Sequence, residues 1–115
     1  MSRSLTYLRK ISLAKSILSR AVPDVQVDSV AIVGSVGGPC WLLVTPNHYE
    51  FWTRFKKSYP HWKRLARKYG VLSSVTGIRC PVFSTQKGLL SWLSDVLNLP
   101  SGERNLLYLM ENIVG

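Results

Sequence analysis

Acidic residues are scarce in this sequence. Six Asp and Glu stand against fifteen Lys and Arg, which gives the 115-residue chain a formal net charge of +9. The distribution is uneven: residues 1–20 hold five basic residues and no acid, residues 51–70 hold seven and no acid, and the remainder holds three basic residues and all six acids. Surplus lysine that served only solubility would be scattered, whereas acid-free blocks are typical of surfaces that attract polyanions.

Cysteine and histidine are also rare. Cys40 and Cys80 are the only cysteines, and two thiols so far apart do not form the disulfide framework of a small secreted domain. Because no secretory signal opens the sequence, we expect an intracellular protein in a reducing compartment. In chain order, Cys40, His48, His61 and Cys80 are separated by 8, 13 and 19 residues. A zinc site normally begins with two ligands only a few residues apart, and no such pair is present here. We therefore expect no metal and no cofactor.

No apolar run is long enough to cross a membrane. The longest uncharged stretch, residues 29–49, is interrupted by Gly34, Gly37, Gly38 and Pro39, so we expect no transmembrane segment and no membrane partner. The opening MSRSLTYLRKISLAKSILSRAVP is amphipathic, acid-free and rich in Arg and Ser, as mitochondrial transit peptides are. We interpret it as a helix of the domain, and mitochondrial targeting stays an open alternative.

The length and the 46% of hydrophobic residues predict one domain, residues 1–115, with one core. Apolar periodicity and turn residues predict an α+β fold with about four strands in the order α-ββ-α-ββ-α-α. We expect the sheet to be packed by the first helix and the last two, with segment 47–69 as a basic helical arm across one face. The predicted helices cover 4–21, 47–59, 61–69, about 85–99 and a segment from 101 onwards; the predicted strands cover 25–35, 40–45, 71–76 and 78–84.

Several details of these elements follow from the same patterns. The run CWLLVT predicts a strand buried on both faces, and Asn47 with Glu50 resembles a capping box that starts a helix. In the last helix, we expect Leu107 and Val114 to be exposed and to serve a protein partner or self-association.

The central feature is the segment FWTRFKKSYPHWKRLARKYG, in which basic and aromatic residues alternate. Phosphates need cations, and unpaired bases need flat faces to stack on. In a helix over 61–69, Lys63/Arg67 and Arg64/Lys68 lie four residues apart and form a cationic strip. Helical spacing turns Trp62 and Tyr69 inward. We predict phosphate contacts from Arg54, Lys56, Lys57, Lys63, Arg64, Arg67 and Lys68, stacking by Trp52 and Tyr59, and an extension of the track through Arg9, Lys10 and Lys15.

Catalytic motifs are missing from the sequence. The acids are scattered, and no Ser/His/Asp or Cys/His arrangement can be assembled. The glycines of GSVGG lead into a strand and are not followed by Lys-Ser/Thr, so they indicate a turn rather than a phosphate loop. We therefore expect no catalytic residues.

The order of one region loosely resembles the restriction-endonuclease-like fold. The region comprises VDSVAIVGSVGGPCWLLVTP, the long basic helix and PVFSTQKGLLSWL. In that fold an acid on one strand is followed by E-x-K on the next. Asp28 would take the first position, but Leu43-Val44-Thr45 supplies neither Glu nor Lys. The resemblance implies a degenerate nuclease fold that is retained for binding.

These observations predict a non-catalytic protein that binds the phosphate backbone of DNA or RNA. Two alternatives stay open. One is a protein-interaction module, an inhibitor or adaptor, that docks its basic face on an acidic partner; the other is the degenerate nuclease.

Overall fold

The computed structural model describes residues 2–34, 37–72 and 77–108, and for residues 2–11 it describes the backbone only. Within these residues the chain forms a single α+β domain, as predicted, with a four-stranded antiparallel sheet and five α-helices. In chain order the elements are α1 (Ser2–Ala21), β1 (Val27–Gly34), β2 (Cys40–Pro46), α2 (His48–Ser58), α3 (Trp62–Ala66), a 3₁₀ turn (Arg67–Tyr69), β3 (Val71–Leu72), β4 (Val82–Phe83), α4 (Gln86–Leu97) and α5 (Ser101–Tyr108).

The sheet has the strand order β1-β2-β4-β3, and a long hairpin of β1 and β2 forms most of it. The hairpin closes where Gly34 pairs with Cys40. Gly34 has a φ of +134°, and a Cβ there would collide with the carbonyl oxygen of Pro39, so only glycine fits. Strands β3 and β4 have two residues each and extend the sheet beyond β2.

Strand β2 is buried on one face only, so the prediction of burial on both faces is wrong. Cys40, Leu42 and Val44 are buried, whereas Trp41 and Leu43 are only partly buried. The alternation has the period of two that a strand imposes, because successive side chains point to opposite faces. The helices pack on the face that carries Leu42, since α1 contacts β1 and α2 and α4 contact β2.

An aromatic cluster fills the space between β2, α2 and α4. Trp52 lies 4.9 Å from Phe55 and 6.1 Å from Trp92, measured between ring centroids. The indole N–H of Trp52 donates to the carbonyl oxygen of Leu42 at 3.2 Å, and that of Trp92 donates to the carbonyl oxygen of Trp62 at 2.9 Å. Buried indoles need such acceptors, and these two attach α2 to the sheet and α4 to the start of α3.

The first half of segment 47–69 does lie against the sheet, but as part of the core rather than as a basic arm. This half, α2, contributes Phe51, Trp52 and Phe55 to the core, and each of them is at most 1% exposed. The capping box is also absent: Asn47 precedes α2, but its side chain accepts no hydrogen bond from the helix. Thr85 does cap α4, where its hydroxyl accepts from the backbone N–H of Gly88 at 3.0 Å.

Helix α5 buries a different side from the predicted one. Leu107 is fully buried and Leu106 is 50% exposed, so the expectation of an exposed Leu107 is wrong, and Val114 lies outside the described residues. The difference arises because α5 docks on α4 and α1 through the side that carries Leu107. No helix in the described ranges has the length and apolarity needed to cross a bilayer.

A polar network joins the 3₁₀ turn to both C-terminal helices. The Tyr69 hydroxyl donates to the Asp95 carboxylate, which also accepts from Arg104 at 2.6 Å. Burial alone would raise the pKa of Asp95, but the hydrogen bonds from Tyr69 and Arg104 outweigh it and hold that pKa below its ordinary value. The same hydrogen bond, with burial, raises the pKa of Tyr69 to about 12.

Gly88 provides a test of the packing between α4 and the 3₁₀ turn. A Cβ at this position would lie 2.6 Å from the carbonyl oxygen of Tyr69. Alanine normally favours a helix, but here Gly88→Ala should lower the free energy of unfolding by about 1–3 kcal/mol, as overpacking does. The control is Gly102→Ala in α5, where a Cβ meets no atom within 4 Å and stability should stay or rise slightly. Urea denaturation of both variants measures this, and equal effects would contradict the close approach.

The tyrosine of the polar network gives the stability a pH dependence. The pKa of Tyr69 is about 12 in the folded state, against about 10 in an unfolded chain. Because the folded pKa is the higher one, the protonated Tyr69 hydroxyl stabilises the folded state. This contribution to the free energy of unfolding is complete below about pH 10 and is lost as the pH rises towards 12. Tyr69→Phe should remove this loss of stability at alkaline pH, whereas Tyr49→Phe should leave the pH dependence of the free energy of unfolding as it is in the wild type. Denaturation at several pH values between 9 and 12 measures both, and a profile unchanged by Tyr69→Phe would refute the assignment.

Candidate functional site

Four cations surround one cavity of about 740 Å³ on the surface of the domain. Lys56 comes from the end of α2, Lys63 from α3, Arg67 from the 3₁₀ turn and Arg79 from the segment before β4. No Asp or Glu stands among the described residues that line the cavity. The sequence explains why, since the chain contains no acid from residue 51 to residue 94.

Local structure brings these cations together. Helix α2 ends at Ser58, and the chain turns through Pro60 before α3 begins at Trp62. Lys63 and Arg67 are four residues apart, which places them one above the other on the same side of α3 and the turn that follows it. The Lys56 ammonium lies 4.9 Å from the centre of the Trp62 ring, in a cation–π contact that joins α2 to α3.

The ionisable groups of the cavity influence one another. Burial lowers the pKa of Lys56, the charges of Arg79 and Lys63 lower it further, and Cys80 acts in the opposite direction. Lys56 is therefore a half-buried ammonium surrounded by like charges, a situation that an anion would relieve. Burial raises the pKa of Cys80 to about 12, so its thiol is protonated at neutral pH and is a poor nucleophile.

The predicted phosphate contacts divide into three groups. Lys56, Lys63 and Arg67 line the cavity, and the exposed side chains of Lys57, Arg64 and Lys68 lie outside it. Arg54 is set apart because its guanidinium lies 3.4 Å from a Glu50 oxygen and 3.8 Å from an Asp24 oxygen. Such exposed ion pairs contribute little stability, but these two acids offset the charge of Arg54.

The two predicted stacking residues, Trp52 and Tyr59, are less exposed than expected. Trp52 is 1% exposed and belongs to the aromatic core, so its prediction as a stacking group is wrong. In the fold it packs with Phe51 and Phe55 on the side of α2 that covers the sheet. Tyr59 is half-buried: its hydroxyl donates to the carbonyl oxygen of Ala21 at 3.1 Å, and its ring lies 4.8 Å from that of Phe55.

Helix α1, through which the phosphate track was predicted to extend, contributes no described residue to the cavity. Lys15 is exposed, whereas Arg9 and Lys10 belong to the part of α1 that is described by its backbone alone. Helix α1 packs on β1 and on α5. None of the described lining residues of the cavity comes from α1.

Two residues that sequence reasoning missed complete this region. Arg79 lines the cavity, and its guanidinium lies 5.6 Å from the centre of the Tyr49 ring. Tyr49 is 56% exposed, more than any other large apolar or aromatic residue whose side chain the structure describes. Arg79 also has a φ of +69°, a conformation that non-glycine residues adopt rarely. Arg79 and Lys56 are 23 residues apart, and no sequence pattern connects them. Only the fold brings both side chains to the same cavity.

The potential catalytic and metal-binding residues have structural partners. His48 accepts from the backbone N–H of Val44 through Nδ1 at 3.2 Å, so Nε2 carries the proton and donates to the carbonyl oxygen of Ile78 at 2.8 Å. Asp28, the candidate nuclease acid, is exposed and accepts from Gln26 at 2.8 Å. In the described part of the chain, no three His, Cys, Asp or Glu residues lie together in a way that could hold a metal ion.

Comparison with models of protein families, with curated proteins and with solved structures gave no match for this chain. Function must therefore be inferred from the geometry of the cavity and from the cations around it.

The charge coupling in the cavity can be measured. Arg79→Asn removes one neighbouring cation and keeps a residue that tolerates positive φ, so the pKa of Lys56 should rise towards its ordinary value. Lysine side-chain NMR as a function of pH reports this pKa, with the Lys56 signal assigned by its disappearance in Lys56→Gln. Lys87→Gln on α4 is the control and should leave that pKa unchanged. No response to Arg79→Asn would show that the guanidinium does not act on the cavity.

Proposed function

We propose that the protein binds the phosphate backbone of a nucleic acid and performs no chemistry on it. The binding surface, called the cationic surface below, consists of the cavity cations and their exposed neighbours on α2, α3 and the 3₁₀ turn: Lys56, Lys57, Lys63, Arg64, Arg67, Lys68 and Arg79. The observation that carries the proposal is the convergence of four of these cations, from four separate elements, on a cavity without an acidic residue in its described lining.

The energetics of the cationic surface support a polyanionic ligand. Like charges four residues apart on a helix destabilise it by a few tenths of a kcal/mol per pair, and Lys63/Arg67 and Arg64/Lys68 are both of this kind. Elsewhere in the molecule, arginines are paired with acids: Arg20 lies 2.7 Å from Glu103, and Arg104 lies 2.6 Å from Asp95. A row of phosphates would neutralise the cavity cations in the same way and release its own condensed counterions.

The side chains at the cavity favour a binding role over catalysis. General acid–base chemistry needs a carboxylate, an imidazole or a similar group within reach of the ligand. The described lining offers cations, apolar residues and Cys80, whose pKa of about 12 keeps its thiol protonated. A binding role uses every charged group of the cavity, whereas the lining offers a reaction no base other than the Lys56 amine.

The proposal is tested by reversing charge within the cationic surface. The double variant Lys63→Glu/Arg67→Glu should weaken binding to every oligonucleotide by about tenfold or more at moderate salt, because two attractive interactions with phosphates become repulsive. The slope of log K against log salt should flatten by about one for each phosphate that the variant no longer neutralises. Fluorescence anisotropy with labelled single- and double-stranded DNA and RNA at two salt concentrations measures both quantities.

Lys87→Glu is the control for a charge reversal outside the cavity. Lys87 is an exposed cation in the first turn of α4, outside the cavity lining, where an acid is tolerated at a helix N-terminus. This variant should bind nearly as the wild type does. If no oligonucleotide binds even at low salt, or if both variants lose affinity equally, the proposal fails. Binding that appears only with an acidic protein would identify an interaction module instead.

A further inference from the structure

The cavity has apolar walls as well as a cationic rim. Its apolar lining comes from Trp62 and Ala66 of α3 and from Val71, Leu72 and Pro81 of the sheet and the segment before β4. Its volume of about 740 Å³ lies within the range of sites that enclose small organic ligands. A phosphate track needs no such space, because phosphates bind well on an open surface. The cavity is thus suited to a ligand that has an apolar, ring-sized part as well as a negative charge.

The position of Lys56 joins these two requirements. Its ammonium lies over the face of Trp62, so a cation stands directly on the aromatic wall rather than at the end of a solvated side chain. Arg79 supplies another part of the rim and is held there in a rare positive-φ conformation. Residues in such conformations concentrate at ligand sites, where the surrounding structure maintains them.

We infer that this cavity takes up one unstacked nucleotide, with its base against the apolar lining of Val71, Leu72 and Pro81 beside Trp62, and its phosphate between Lys56 and Arg79. This inference rests on the proposed function, since the remaining phosphates of the strand would follow the exposed cations outside the cavity. The substrate class is then single-stranded nucleic acid, or an unpaired end or bulge, rather than an intact duplex.

The selection against duplex has a simple physical origin. In a duplex each base is stacked and paired, and it must be rotated out of the helix before it can enter a cavity. A single strand presents its bases already free, and contact with the apolar and aromatic lining then adds affinity with little dependence on sequence. The exposed cations alone would bind both forms, so the preference must come from the cavity.

The first measurement uses the wild-type protein and needs no variant. Adenosine monophosphate should shift the indole N–H resonance of Trp62 and the side-chain resonances of Lys56 in NMR spectra, in a saturable way. Inorganic phosphate at the same concentration should shift Lys56 and leave Trp62 nearly unchanged. Equal responses to the two probes, or no response of Trp62, would overturn the inference.

The second measurement separates the cavity from the cationic surface as a whole. Wild-type protein should bind a single-stranded oligonucleotide at least about tenfold more tightly than the duplex of the same sequence. The cavity variant Lys56→Gln/Arg79→Asn should lose most of this preference, mainly by weakening single-strand binding. The outer variant Arg64→Gln/Lys68→Gln changes the same number of charges and should weaken both forms by similar factors.

The two failures can be told apart. If duplex binds as tightly as single strand in the wild type, or if the cavity and outer variants behave alike, the cavity inference fails and the proposed function stands. If neither form binds, the proposed function fails as well. Thermal melts show whether each variant is folded, and Arg79→Asn alone, which retains a residue compatible with positive φ, provides a milder version of the cavity variant.

Discussion

The contact between the two buried indoles, Trp52 and Trp92, is the constraint on which the cationic surface depends. Each ring is buried, and each N–H is satisfied by a main-chain carbonyl on a different element. Removing one such tryptophan typically costs about 3–5 kcal/mol, a large part of the stability of a small domain. Because the aromatic half of segment 51–69 is held inward in this way, the basic half of the same segment must face outward.

The outward charges are then organised by smaller interactions. The hydrogen bonds that Asp95 accepts from Tyr69 and Arg104 attach the 3₁₀ turn to α4 and α5. The position of the turn that carries Arg67 is therefore fixed by its contacts with these helices. The cation–π contact of Lys56 with Trp62 links the end of α2 to α3. Core packing and a few polar contacts thus stabilise a surface whose own charges oppose its formation.

The sequence predicts the backbone of this fold better than the exposure of its residues. Periods of 3.6 and 2 located the helices and the strands, and the i, i+4 spacing of Lys63 and Arg67 correctly predicted that they lie together. Where apolar residues occur on more than one side of a helix, spacing alone could not tell which side faces the core. The predicted exposure of Trp52 and of Leu107 was therefore wrong. Arg79 was beyond prediction because it joins the cavity through the sheet, in contacts far apart along the chain.

The burial of the two thiols limits their reactivity. Burial raises the pKa of both Cys40 and Cys80, and thiols that keep their protons react slowly with peroxides and other mild oxidants. Neither sulfur takes part in a cross-link. The fold therefore depends on no disulfide, and neither thiol has to be oxidised for it to form.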